Sequence, residues 1–503
     1  MNDKKTGTKS NYIWNLILQV FLIITPLITT PYVARVLGSE GVGKYSFSYS
    51  ITYYFTLLAL LGFNFYAQRE VAKCRDEIKK QSCIFWEIMI LKAISTIVST
   101  LLYSIIILTN ILEDYNILLF ILGLNVVAIF FDPTFLFQAN EEFKSIAIKN
   151  VIIKLISISL IFIFVKNAND LWVYTLINAG SVFASGIIMI PFLRNKIVKV
   201  NIKDLNIKRH IIPNLRLFIP TIAISVYVML DKTMIGLMVP GEQIVIKDGV
   251  ETIQKISDIE NGYYEQAEKI VRLIMTIVTS LTIVMIPKNA IYLEKKDFEG
   301  LNNNVYKALR FNLLLGIPMT LGLICTATNM CPWFFGEGYD KVPYLIMVLS
   351  PLILAIGLNG VLGIQYMVGT GKDRLFAIIV TGGAVLNFVM NLILLKFLYS
   401  FGVAIASVTA ETVILVVEAI CLRKTFSLKR VVKEGYKYVI SGAIMFGVVF
   451  PISFLFSSSI LNTIILVVIG VVVYFLTLIV LRDSFFLNTT KAMFNKVKSI
   501  VKK

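Results

Sequence analysis

Residues 36–50 read VLGSEGVGKYSFSYS. Gly38, Gly43 and Lys44 fit G-x-x-x-x-G-K, a glycine-rich loop that cradles nucleotide phosphates, but the next position needs a Ser or Thr hydroxyl for Mg²⁺ and holds Tyr45 instead. The flanks decide between the readings. On both sides lie apolar blocks of about 20 residues, each enough to cross a hydrocarbon core of roughly 30 Å as a helix. The segment reads as a turn between two membrane helices, its glycines easing the reversal.

The whole chain follows the same plan. Of 503 residues 57% are hydrophobic, and the mean hydropathy is +0.79. That composition belongs to an all-α integral membrane protein. Spans are expected near 12–34, 44–68, 82–109, 116–138, 146–165, 171–193, 214–238, 265–287, 308–331, 342–368, 375–397, 403–422, 437–457 and 460–481, about fourteen in all. Strand-like alternation is absent, which excludes an outer-membrane barrel. The polar MNDKKTGTKS runs directly into a full-length span, so no cleavable leader is expected.

The net charge of +17 points to topology rather than nucleic acid. Basic runs such as KCRDEIKK, RNKIVKVNIKDLNIKRH, RKTFSLKRVVK and NKVKSIVKK fall in alternate loops. Lys and Arg accumulate on the cytoplasmic side, so both termini are expected in the cytoplasm of a bacterial inner membrane. Residues 38–44 and the acidic stretch 239–265 then face outward, where no nucleotide is at hand. The five cysteines show no metal or disulfide spacing, and His210, the single histidine, reads as a solvated loop residue. No metal or cofactor is expected, apart from H⁺ or Na⁺ as a coupling ion.

An internal echo suggests a repeat. Glu40-x-x-Gly43-x-Tyr45 after the first span is roughly echoed by Glu260-x-Gly262-x-Tyr264 after the seventh, six spans on and in the same orientation. A weaker pair is FQANEEFKSIAI after span 4 and YMVGTGKDRLFAI after span 10. Parallel repeats related by an axis along the membrane normal place a transport site between them near the midplane. The expected division is 1–203 and 204–424, two six-helix bundles around a central cavity, with 425–503 adding two helices and a basic tail.

At TPYVARVLGSEGVGKYSFSYSI, FQANEEFKSIAIKN, LDKTMIG with GYYEQAEKI, and GVLGIQYMVGTGKDR the chain resembles the Wzx-type polysaccharide-biosynthesis flippases of the multidrug/oligosaccharidyl-lipid/polysaccharide exporter superfamily. The resemblance covers spans 1–12. It implies a fourteen-helix fold and transfer of undecaprenyl-diphosphate-linked oligosaccharide to the outer leaflet by alternating access, with the polysaccharide polymerase and export machinery as partners. The stretch 239–265 is longer than the short turn the family leads one to expect. An ion-coupled multidrug or metabolite antiporter and a lipid II flippase share the fold and are the alternatives. A membrane glycosyltransferase or polymerase is disfavoured, because no loop is large enough for a catalytic domain.

Ionisable groups within spans are functional hypotheses by default. Arg272 and Lys269, with Lys92, Lys154 and Lys232, are candidates for holding the substrate diphosphate, and Asp231 and Glu411 for ion coupling. Glu265, Glu268, Lys269, Arg272, Thr276 and Thr279 share one helix face, where Glu265 with Lys269 and Glu268 with Arg272 can also pair with each other. Asn15, Gln19, Asn387 and Asn391 suit either glycan hydroxyls or interhelical hydrogen bonds. Pro26 and Pro220, at matching places in spans 1 and 7, are candidate hinges.

Overall fold

Gly38 has φ 70° and ψ 175°, a conformation closed to most L-residues, and it breaks an otherwise helical run, α1 (Asn2–Leu60). A straight helix of 59 residues would run about 90 Å, roughly three times the hydrocarbon thickness. The break divides it into two arms; the first carries the expected span 12–34, while the expected span 44–68 is interrupted at Leu61 and Gly62, both at positive φ, and its last residues fall in the next helix. The expected turn through 38–44 is corrected here: only Gly38 departs from helical geometry, and Ser39 onward is the first turn of the second arm, closed by a Glu40–Lys44 ion pair of 2.6 Å.

The computed structural model describes residues 2–247, 250–423 and 426–491. Two units emerge, Met1–Gly262 and Tyr263–Lys503. In the first, α1 is followed by α2 (Phe63–Ala72), α3 (Ile78–Leu108), α4 (Asn116–Phe131), α5 (Thr134–Ala139), α6 (Phe143–Phe164), α7 (Leu171–Ile187) and α8 (Ile211–Met238). The expected span 116–138 is interrupted at Asp132–Pro133, because proline offers no N–H and pushes its predecessor into extended backbone, ψ 101° at Asp132.

α3 shows why these helices belong in lipid. It buries Gln81, Ser82, Glu87, Lys92, Ser95, Thr96 and Ser99 while presenting Ile94, Ile97, Val98, Leu101 and Ile105 outward. Lipid gives apolar faces no reason to hide, so packing and interhelical hydrogen bonds hold the bundle, at about 0.6–2 kcal/mol each. Ser95 Oγ donates to the Ala59 carbonyl at 2.7 Å, Ser99 Oγ to that of Phe55 at 2.6 Å, and the Tyr103 hydroxyl to that of Leu119 at 2.6 Å.

The stretch after α8 is a hairpin rather than an irregular loop. Strands β1 (Glu242–Lys247) and β2 (Val250–Lys255) pair antiparallel with Glu242 opposite Lys255. α9 (Ile256–Glu294) then starts well before the expected residue 265.

The second unit contains most of α9, then α10 (Phe298–Phe335), α11 (Val342–Leu349), α12 (Pro351–Asn359), α13 (Asp373–Leu398), α14 (Ser400–Leu422), α15 (Leu428–Ser453) and α16 (Ile460–Val480). α12 continues into a π-helical run, Gly360–Val368. The last two helices dock on α10 through Leu314, Ile317, Cys325, Tyr438, Met445, Leu466 and Tyr474, and the Tyr474 hydroxyl donates to the Leu314 carbonyl at 2.9 Å. Among the described residues, ten helices are long and apolar enough to cross a membrane. The expected spans 12–34, 44–68, 214–238 and 265–287 fall in α1, α1 with α2, α8 and α9, outside those ten.

Candidate functional site

The quoted motifs of the first unit pack on one another. A Cβ on Gly43 would fall 1.6 Å from the Asp258 carbonyl oxygen, and one on Gly262 would fall 2.0 Å from that of Ser39. Backbone meets backbone there, so both residues are glycine for space, whereas Gly38 is glycine for its dihedrals. Four residues past Gly43, Phe47 lies against Gly236 of LDKTMIG, where a Cβ would come within 2.1 Å of the ring. The motif residues Asp231 and Lys232 are buried and both are engaged in polar or electrostatic interactions. Thr233 Oγ1 donates to Ser50 Oγ at 2.9 Å and is 2.9 Å from the Tyr54 hydroxyl, while Asn261 Nδ2 donates to the Lys232 carbonyl at 2.8 Å.

The candidate cations differ in situation. Lys92 is buried, lies 5.4 Å from the Phe135 ring centroid, and donates to the Asp132 carbonyl at 2.6 Å. It therefore closes the broken end of α4, where carbonyls lack helical donors. Lys149, not singled out from the sequence, does the same for Ser185 at 3.1 Å near the end of α7. Lys154 is half-buried on the same helix and has an interaction of its own. The side chains of Asn15, Gln19 and Pro220 lie outside the described residues. Pro26 sits within α1, and Gly38 is the residue with non-helical backbone there.

In the second unit the α9 stripe pairs along its own helix. Lys269 meets Glu265 at 3.3 Å and Arg272 meets Glu268 at 2.6 Å. The Arg272 side chain is 43% exposed, against 8% for Glu268. Glu411 accepts from Asn359 Nδ2 at 2.7 Å. Two turns on, Glu418 is fully buried with neither carboxyl oxygen hydrogen-bonded, set against the π-helical run so closely that a Cβ on Gly363 would lie 2.6 Å from Oε1. Asn387 and Asn391 are fully buried, Asn391 donating to Asn387 and Asn387 to Ser407, both at 3.2 Å. The first of these bonds runs along α13 and the second crosses to α14.

His210 is a correction. It is buried, with Nε2 2.6 Å from Glu87 Oε2 and Nδ1 2.7 Å from the Tyr66 hydroxyl. Glu87 also accepts from Arg209 at 2.6 Å and from the Asn206 backbone N–H at 2.6 Å. A buried carboxylate must gather donors, and the histidine beside a basic run supplies one. Asp258 was equally hidden in an unremarkable polar stretch. It is fully buried in the first turn of α9 and accepts from the Tyr115 hydroxyl at 2.8 Å. Burial pushes its carboxyl up to about 6 against the opposing Tyr115 hydrogen bond and Lys44 charge, with Glu40 adding to the rise and Lys255 opposing it. Among the described residues no three His, Cys, Asp or Glu side chains converge as metal ligands.

Residues 8–290 match the family described as "Polysaccharide biosynthesis protein". The "Putative O-antigen transporter" of Escherichia coli (strain K12) is 26% identical over 419 residues, 82% of this chain and 96% of that protein. A protein of the same description from Shigella dysenteriae is 22% identical, covering 79% and 97%. Among solved structures, the inward closed lipid II flippase MurJ superposes with a TM-score of 0.73 at 16% identity, covering 94% of this chain and 99% of that one. An inward-facing MATE multidrug transporter of the MOP superfamily gives 0.60 at 13%, covering 80% and 98%. At those identities the two structures establish a common fold.

Proposed function

The chain belongs to the polysaccharide biosynthesis protein family, and from that premise we propose that it is a flippase for undecaprenyl-diphosphate-linked oligosaccharide, moving it from the cytoplasmic to the outer leaflet by alternating access. The family match carries the reading, since it spans residues 8–290 and so includes both interlocked motifs of the first unit. The shared fold with transporters and the polar interior of α3 support it. A string of sugar hydroxyls moved unpaired through hydrocarbon costs several kcal/mol per group, so the glycan needs a wet path while its polyprenyl tail stays in lipid.

In this reading the repeat divides the chain at 203 and 424. Arg272 and Lys269 hold the diphosphate, with Lys154 and Lys232 adding positive potential and Lys92 contributing mainly by fixing the break after α4. Asp231 and Glu411 couple an ion. The membrane is the bacterial inner membrane, and both termini are cytoplasmic. With the cytoplasm negative, two charges carried outward gain up to about 5 kcal/mol per 100 mV, which needs no nucleotide.

Translocation of lipid-linked oligosaccharide by the full chain in vesicles tests this. Arg272→Gln is expected to abolish transfer and Arg272→Lys to retain part of it, because lysine keeps the charge but loses the bidentate fork. Wild-type transfer by the Gln variant would reduce the α9 stripe to self-paired structure. Transfer of lipid II by the wild-type chain in place of the oligosaccharide would overturn the substrate.

A further inference from the structure

Among the described residues of the first unit, Asp258 is a buried carboxylate with one oxygen left without a hydrogen bond. Its Oδ1 accepts the Tyr115 hydroxyl, but Oδ2 has no hydrogen-bond partner and the residue has no solvent exposure. Its cationic neighbours each carry a carboxylate partner of their own. From α1, Glu40 and Lys44 face it as an ion pair of 2.6 Å. From the hairpin comes Lys255, itself paired with Asp114 in the turn just before α4 and lying 5.5 Å from the Tyr115 ring centroid. A single buried carboxylate with one donor is costly.

The position also matters mechanically. The Asp258 backbone oxygen is the atom against which Gly43 packs, so Asp258 sits in the crossing of α9 over the second arm of α1. Beside it opens a cavity of 780 Å³, lined by Tyr115, Lys255, Ser257, Asp114, Glu113 and Glu242 among others. Polar walls of that kind hold water.

We propose that Asp258 is a proton-binding site served through this cavity, and that its occupancy fixes the crossing of α9 on α1. A proton from the cavity water binds Oδ2 and takes the side chain from −1 to neutral. Neutral Asp258 can stay dry between Tyr115 and the glycine crossing. Ionised Asp258 is relieved by admitting cavity water, which parts α9 from α1. The assignment does not depend on what the transporter carries, nor on the ion-coupling roles proposed for Asp231 and Glu411.

The test is an infrared pH titration of the carboxylic-acid C=O band on the full chain in lipid vesicles, together with variants that leave Asp258 in place. Wild type is expected to show one more carboxyl titrating near pH 6 than Asp258→Asn. Tyr115→Phe removes a donor to the charged form and should move that midpoint up, whereas Glu40→Gln removes a like charge and should move it down. Identical titrations of wild type and Asp258→Asn overturn the site. So does a midpoint indifferent to both neighbours, which settles the matter even if Asp258→Asn does not fold. For the crossing, a cysteine at Leu112, which lines the cavity, is labelled with an impermeant thiol reagent. Its rate relative to the same cysteine in the Asp258→Asn background should rise several-fold as pH passes 6. A flat ratio overturns the link between proton and crossing.

Discussion

Adding one methyl group at Gly43 should open the crossing of α1 and α9. The new Cβ would lie 1.6 Å from the Asp258 oxygen and 2.9 Å from the Gly262 nitrogen, where ordinary contact begins at 3.4 Å. The two backbones must therefore part by nearly 2 Å, and no flexible side chain can yield in their place. Overpacking of this kind costs about 1–3 kcal/mol. The shift also strains the 2.8 Å Tyr115–Asp258 hydrogen bond, which adds about 0.5–1.5 kcal/mol, so Gly43→Ala should destabilise by about 1.5–4.5 kcal/mol. Gly262→Ala opens the same crossing from the other side, with its Cβ 2.0 Å from the Ser39 oxygen. Once one methyl has parted the helices the second finds space, and the double variant should fall short of the additive sum by about 1–3 kcal/mol. Gly180→Ala, whose Cβ meets nothing within 4 Å, serves as the reference. Unfolding titrations in mixed micelles give the four values. Strict additivity, or a Gly43→Ala value within about 0.5 kcal/mol of Gly180→Ala, would refute the reasoning.

Lys92→Met leaves the Asp132 carbonyl without its donor and should cost about 1–3 kcal/mol. The check is that folded protein in the membrane falls while transfer per folded molecule is preserved. Stability should also respond to Asp258. A carboxyl raised from 3.8 to about 6 on folding binds its proton more tightly in the native state, so its favourable contribution is full below pH 4 and is lost as pH rises through 6. Wild type should therefore lose about 2 kcal/mol relative to Asp258→Asn between pH 4 and 7, and parallel stability curves would contradict this. Cysteines at Ser39 and Asp114 should react with an impermeant reagent on intact cells and one at Lys203 should not; labelling at Lys203 would reverse the orientation.

Much of the architecture was legible because membrane helices announce themselves by length and apolarity. The quoted motifs of spans 1 and 7 do meet in space. What escaped was local. The glycines of GVGKYS looked like turn residues, since a sequence does not distinguish a glycine chosen for φ, as at Gly38, from one chosen for the absence of a side chain, as at Gly43. The hairpin 242–255 hid among charges that blurred its alternation. His210 and Asp258 were misjudged or passed over because burial of a polar group depends on partners far along the chain, 123 residues away for Glu87 and 143 for Tyr115. The helix pattern does reveal the α9 ion pairs, because their partners lie one turn apart.

The partners of α3 also bear on how the chain is assembled during synthesis. When α3 leaves the ribosome, the carbonyls that receive Ser95 and Ser99 already exist on α1. The carbonyl that receives Lys92 belongs to a residue 40 positions later. Until that segment follows, α3 bears a cation whose insertion at the bilayer centre costs about 2.5–3.5 kcal/mol. The nascent helix thus has reason to wait at the insertion machinery for α4, and the two enter lipid as a pair rather than in turn.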